Sequence, residues 1–162
     1  MIFVTVGNWH KGFDRLIKAV DELIEQGVIR EEVVMQIGSG SYQPRNAEWF
    51  EYASPEQCEE HIRQSRIVIS HAGMGTIATA IGYAKPVIVV PRKHSLKEHY
   101  DDHQFSTARQ LELEKAVLVA YETDALITKL DEAKSFVPTK RECSDKLFQV
   151  IREYLKDLQQ KK

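Results

Sequence analysis

The sequence is short of cysteine, and the little it has is not arranged for chemistry. Cys58 and Cys143 are the only two in 162 residues. They lie far apart, in helical surroundings, outside any C-x-x-C pair or zinc-type spacing. A disulfide framework is therefore excluded, and a reduced, cytoplasmic chain is the simplest expectation. Long hydrophobic runs are also missing. MIFVTV is an apolar opening of six residues with no basic segment before it, unlike a signal peptide. Nothing approaches the roughly 20 apolar residues of a membrane span, so any membrane association is expected to come through a partner. No clustered basic face accompanies the formal net charge of -2, which argues against nucleic acid. Only the QQKK tail and the Arg92-Lys93 pair are locally basic, as solvated segments commonly are. The first loop is not G-x-G-x-x-G and no G-x-x-x-x-G-K-[ST] occurs anywhere, so dinucleotide and P-loop readings lose their usual support. With no repeat, low-complexity tract or linker, residues 1–162 are read as a single domain.

What is present is alternation. IFVTV is a β-branched run stopped by Gly7, and Phe13, Leu16, Ile17, Val20, Leu23 and Ile24 then recur at helical period. VVMQIG reads as a strand opening into a polar loop, and Asn46 to Tyr52 as a short strand or loop. Ser54-Pro55-Glu56 is an N-cap, a proline at the first helical position and an acidic first turn, for a helix to about Gln64. RIVIS, a helix over Thr76 to Tyr83 and a strand over Val87 to Val90 follow. After a polar loop come a helix from His103 to Leu113, the strand AVLVA, a helix from Asp124 to Lys134 and an amphipathic helix from Arg141 to Gln159. Strands apolar throughout, each followed by a helix, predict a Rossmann-like α/β domain: a parallel sheet with helices on both faces.

In such a sheet ligands bind beyond the carboxyl ends of the strands. The loops there begin at Gly7-Asn8-Trp9-His10, Gly38-Ser39-Gly40, His71-Ala72-Gly73-Met74-Gly75-Thr76 and Arg92 through Gln104. Glycine permits close backbone approach, and free amides at a helix start favour phosphate. A nucleoside diphosphate is the expected guest. The pair Gly38 and Gly40 alone reads more readily as packing of helix on strand. His94, His99 and His103, with Asp101 and Asp102, have spacings that a metal site uses; polar residues clustered in a long loop are more commonly solvated or ligand-facing, and no metal is expected. Three roles are open to His10 and His71 at their strand ends: phosphate contact, capping side chain or general base.

The run HAGMGTIATAIGYAKPVIVVPR followed by DDHQFSTARQLE resembles the donor-binding signature of family 28 glycosyltransferases. The opening VTVG with Phe13-Asp14-Arg15-Leu16 is similar to a subgroup consisting of the nucleotide-binding half only, the soluble subunits of split transferases. These include the soluble half of the dolichol-linked N-acetylglucosamine transferase and bacterial exopolysaccharide transferase subunits. The resemblance implies the C-terminal half of a GT-B fold and metal-free, inverting transfer from a UDP-sugar, with no cofactor. It implies that Gly7, Asn8 and the turn Gly73, Met74, Gly75 and Thr76 lie beside the diphosphate, that Gln104 contacts sugar hydroxyls with Asp102 and His103 beside it, and that Tyr52 lies near the uracil. Thr79 stands where family members commonly carry a glutamate bonded to the ribose, and Ala84 where a glycine precedes Lys-Pro.

The acceptor site and usual base of such enzymes lie in a domain with no counterpart in these residues. The expectation is a donor-binding subunit with its catalytic base on a membrane-anchored, acceptor-binding partner, His10 being a weak candidate here. The acceptor would be lipid-linked, in exopolysaccharide or cell-surface glycan synthesis, and the chain peripheral to the inner face of the membrane. In isolation it could form a homodimer through the surface meant for that partner. The alternative is a non-catalytic nucleotide-sugar-binding or regulatory protein, which Thr79 also fits.

Overall fold

The computed structural model describes residues 1–139. The amphipathic helix expected from Arg141 to Gln159 and Cys143 lie outside them. Six strands form one parallel sheet: β1 (Ile2–Thr5), β2 (Val33–Gln36), β3 (Glu48–Phe50), β4 (Ile67–Ser70), β5 (Val87–Val89) and β6 (Leu118–Val119). The order across the sheet is β3-β2-β1-β4-β5-β6. The chain winds outward from β1 in one direction and then, from β4, in the other, so the topological switch point lies between β1 and β4.

Helices α1 (Asp14–Glu25) and α5 (Leu126–Glu132) cover one face; α2 (Pro55–Gln64), α3 (Met74–Gly82) and α4 (His103–Leu113) cover the other. Alternate strand side chains divide the core accordingly. Ile2, Val4, Met35, Ile67 and Ile69 pack with Phe13, Leu16, Val20 and Leu126. Phe3, Val34, Val68, Val87 and Val89 pack with Ile62, Ile77, Ala80, Ala108 and Leu111. Burial on both faces explains why these strands read as continuous apolar runs.

The α2 start is as expected: Ser54 accepts the Gln57 amide, Gln57 reaches back to the Ser54 amide, and Pro55 stands in the first turn. Asn46 to Tyr52 resolves into the edge strand β3. The helix expected over Asp124 to Lys134 is shorter, a 3-10 turn at Thr123–Ala125 leading into α5. Helix α3 starts at Met74, two residues before the expected Thr76. It ends with Ala84 at φ +54, while the amides of Ala84 and Lys85 bond back to Ile81 and Ala80. This is the Schellman closure, with alanine in the left-handed position that glycine fills without strain.

Candidate functional site

The last residues of the three central strands are polar and buried: Thr5, Gln36 and Ser70. Thr5 pairs in register with both others, so they form one row across the carboxyl end of the sheet. Gln36 organises the turn beyond it. Its Oε1 accepts from the Thr5 hydroxyl at 2.6 Å and the Gly7 amide at 2.9 Å. Its Nε2 donates to the Gly7 carbonyl at 3.0 Å, the Glu51 carbonyl at 3.1 Å and Asn8 Oδ1 at 3.2 Å. The Gly7 amide is thereby committed internally. A polar side chain inside VVMQIG was the only signal in the sequence for this clamp, and sequence reasoning passed over it.

Gly7 and Gly73 face each other across the switch point, with the His71 ring between them. A Cβ on Gly73 would stand 2.2 Å from His71 Nε2, and one on Gly7 2.8 Å from His71 Cε1. Gly7 also sits at φ +72, where a side chain is strained. The imidazole explains both glycines. Burial, and secondarily the charge of Arg92, pull the His71 pKa down to about 4, so the ring is neutral at physiological pH. That leaves a neutral wedge rather than a cationic phosphate contact. At neutral pH the ring is unprotonated, as a base must be, but its low basicity makes it a poor one.

Beyond the wedge, Gly73 is the N-cap of α3 and offers no side-chain cap. The amides of its first turn, Met74, Gly75 and Thr76, have no intrahelical acceptor, and the positive end of the helix dipole lies there. Met74 and Gly75 are exposed. Thr79, one turn on, donates its hydroxyl to the Gly75 carbonyl at 3.0 Å, so its accepting lone pairs are what remains to offer a ligand.

Arg92, expected among solvated basic residues, is fully buried. Its Nη1 donates to the carbonyls of Gly12 at 2.9 Å, Lys11 at 3.0 Å and Glu98 at 3.2 Å, its Nη2 to that of Val6 at 3.0 Å, and its guanidinium lies 4.7 Å from the Phe13 ring centre. Burial lowers its pKa to about 10 with Glu98 opposing, and it stays cationic at neutral pH. The carbonyls are the physical reason for its burial: two loops turn inward at the strand ends and need a forked donor. Glu98 is held by Arg15 in a two-pronged pair, at 2.9 and 3.0 Å, and accepts the Lys93 amide at 2.8 Å.

The loop after β5 is tied back to its own strand. The Arg92 amide donates to Gln104 Oε1 at 3.0 Å, and the His94 amide to Asp102 Oδ1 at 2.9 Å. Gln104 is buried, while Asp102 and His103 are exposed beside it. Rings zip this loop to the one after β1: Trp9 stacks on His99 at 5.3 Å and packs on His10 at 4.7 Å, and the Tyr100 hydroxyl meets His10 Nε2 at 3.0 Å. The structure thus brings Gly7, Asn8, His71 and the α3 start to one point, with His10 and the Asp102–Gln104 segment on the loops beside it. Tyr52 is exposed past the edge strand β3, separated from β1 by β2. The glycine pair Gly38 and Gly40 belongs to packing: a Cβ on Gly40 would lie 2.4 Å from Asp14 Oδ1, and Asp14 caps Ser41.

Among the described residues no helix is long and apolar enough to cross a membrane. The glycosyltransferase family 28 C-terminal domain matches residues 1–160. The human UDP-N-acetylglucosamine transferase subunit ALG13 is 31% identical over 153 residues, 89% of this chain and 13% of the human protein. A Leptospira interrogans UDP-N-acetylglucosamine–N-acetylmuramyl-(pentapeptide) pyrophosphoryl-undecaprenol N-acetylglucosamine transferase is 29% identical over 80 residues, 49% of this chain and 21% of that one. The chain therefore spans a small part of the curated relatives it matches. Among solved structures, the Streptomyces sp. SF2575 glycosyltransferase SsfS6, complexed with thymidine diphosphate, shares the fold at a TM-score of 0.58 and 16% identity, over 83% of this chain and 32% of that one.

Proposed function

Since the chain belongs to the glycosyltransferase family 28 C-terminal domains, we propose that it is the UDP-sugar-binding half of a two-component inverting glycosyltransferase. The observation that carries this reading is the uncapped start of α3 facing the Gly7 turn across a neutral His71. Amides and a helix dipole converge there, and the first turn of α3 carries no acidic side chain to repel an anion. The relatives named for UDP-N-acetylglucosamine transfer support a UDP-sugar, and SsfS6, which shares the fold, is complexed with a nucleoside diphosphate.

In transfer, the acceptor hydroxyl attacks the anomeric carbon, the bond to the diphosphate breaks, and UDP leaves with the electron pair. The α3 amides and the Thr76 hydroxyl stabilise the oxygens gaining charge, a role that requires no metal or cofactor. Gly7 shapes the turn, Asn8 and Met74 line it, and His103, Asp102 and the Nε2 of Gln104 face the sugar. Tyr52 serves the base only at the far rim. The proton of the acceptor hydroxyl goes to a base on a membrane-anchored partner that also holds a lipid-linked acceptor, and this chain is peripheral to the membrane through that partner. Exopolysaccharide or another cell-surface glycan is the product class.

Thr79 favours a second reading, a nucleotide-sugar-binding regulator without turnover, because its hydroxyl cannot form the charge-assisted pair that a carboxylate forms with a ribose. Calorimetry of the chain with UDP, UDP-N-acetylglucosamine, UDP-galactose and UDP-glucose tests the site; silence with all four overturns it. Co-expression with the neighbouring membrane-anchored subunit then separates the readings: transfer supports the enzyme half, and binding without transfer supports the regulator. Full-rate transfer by this chain alone would refute the two-component arrangement.

A further inference from the structure

The segment between β5 and α4 gathers three side chains that the donor reading does not use together. His99, Asp101 and His103 stand at alternate positions, and one ligand atom from each lies within 4.8 Å of the others. His99 Nδ1 is 3.2 Å from Asp101 Oδ1, and His103 Nδ1 is hydrogen-bonded to the same oxygen. Two imidazole nitrogens and a carboxylate oxygen are the donor set of zinc, nickel and cobalt rather than of magnesium or calcium, which take oxygen.

The three residues differ in freedom. The His99 side chain is 12% exposed and stacked on Trp9, a fixed first ligand. Asp101 and His103 are 62% and 58% exposed and turn outward, leaving the remaining coordination positions to water. A tetrahedral ion with bonds of about 2.0–2.1 Å sets its ligands about 3.3 Å apart. The His99–Asp101 separation already suits it, and the exposed Asp101 and His103 side chains are free to adjust about an ion.

We propose that His99, Asp101 and His103 bind a divalent transition-metal ion, and that an ion there excludes the nucleotide sugar. The exclusion rests on the donor reading above. Asp101 Oδ1 also accepts the His103 amide at 3.2 Å at the start of α4, and Gln104 follows directly. An ion that takes the His103 ring, with Asp101 as its neighbouring ligand, withdraws that ring from the sugar side next to Gln104. The ion is thus a competitor of the donor, not a partner in transfer.

Trp9 supplies the reporter, since a paramagnetic ion held by His99 quenches a stacked indole. Titration of the tag-free full chain with nickel chloride should quench its fluorescence saturably, with one ion per chain. The quench should survive Trp49→Phe and vanish in Trp9→Phe. Cobalt should give d–d absorption bands that are lost in a His99→Asn/His103→Asn variant. No saturable quench, or one unchanged in that double variant, overturns the ion site. By calorimetry, saturating zinc should weaken UDP-N-acetylglucosamine binding at least tenfold in the parent and leave it unchanged in His99→Asn. Equal affinity with and without zinc overturns the exclusion alone. If the metal-free chain binds no sugar nucleotide, the donor reading fails while the quench still decides the ion site.

Discussion

Replacing Gly73 with alanine isolates the contact that shapes the switch point. Gly73 sits at φ -84 and ψ 119, a conformation open to any L residue, so alanine incurs no backbone strain. The effect is then chiefly steric, with a smaller part because alanine is a poorer N-cap than glycine. The new methyl would meet His71 Nε2 at 2.2 Å, Cε1 at 2.7 Å and Cδ2 at 3.0 Å, and the ring cannot retreat freely because Gly7 closes its other side. Overpacking of this kind costs about 1–3 kcal/mol, or roughly 5- to 150-fold in an equilibrium constant. Urea unfolding followed by circular dichroism should show that loss in Gly73→Ala. The double variant His71→Ala/Gly73→Ala should be more stable than the sum of the single changes allows, by at least about 1 kcal/mol. UDP affinity should fall in Gly73→Ala and recover partly in the double variant. A Gly73→Ala chain as stable as the parent, or strictly additive changes, would refute the wedge.

Arg92→Met should cost about 3–5 kcal/mol in urea unfolding because four inward-facing carbonyls lose their donor; Arg92→Lys should not restore it, since an ammonium lacks the planar fork that reaches them all. His71 has a folded pKa of about 4 against an ordinary 6.5, so between those values the unfolded chain binds more protons and stability rises with pH. His71 should account for up to about 3 kcal/mol of the stability lost on acidification from pH 6.5 to 4, and His71→Gln should flatten unfolding curves across that range by that share. Ala84→Gly should stabilise by about 0.5–1 kcal/mol, because glycine relieves the left-handed φ of +54; a lowered urea midpoint would contradict the closure described for α3.

The sheet was legible because its strands are buried on both faces: IFVTV, VVMQIG, RIVIS and PVIVVP show no polar alternation, and all but VVMQIG, which leads to β3 first, pass to a helix. The α2 start was legible because Ser54, Pro55 and Gln57 act through local backbone bonds. The glycines at 7 and 73 were legible as close approaches, but not what approached them. That is an imidazole from the same chain, and its position depends on β1 and β4 being neighbours. Arg92 was misread for the same reason. Next to Lys93 it looks like a surface charge, and only the return of residues 11, 12 and 98 over the sheet end buries it. Gln36 was invisible because one polar residue in a strand does not announce that both neighbouring loops need it. Local chemistry is written locally, whereas contacts made by loop return are not.

Arg92 has one consequence beyond holding loops. All of its bonds go to carbonyls, while the Glu98 carboxylate is engaged by Arg15, so the trio retains one uncompensated positive charge inside the protein. Its field reaches the switch point, because Arg92 is the second cause, after burial, of the low His71 pKa. Mobile ions screen a surface lysine within about 10 Å at ordinary salt, but they do not enter the space between a buried guanidinium and the loops over it. An anion arriving at the Gly7–Gly73 turn therefore meets a standing attraction that needs no reorganisation when it binds and that salt weakens little.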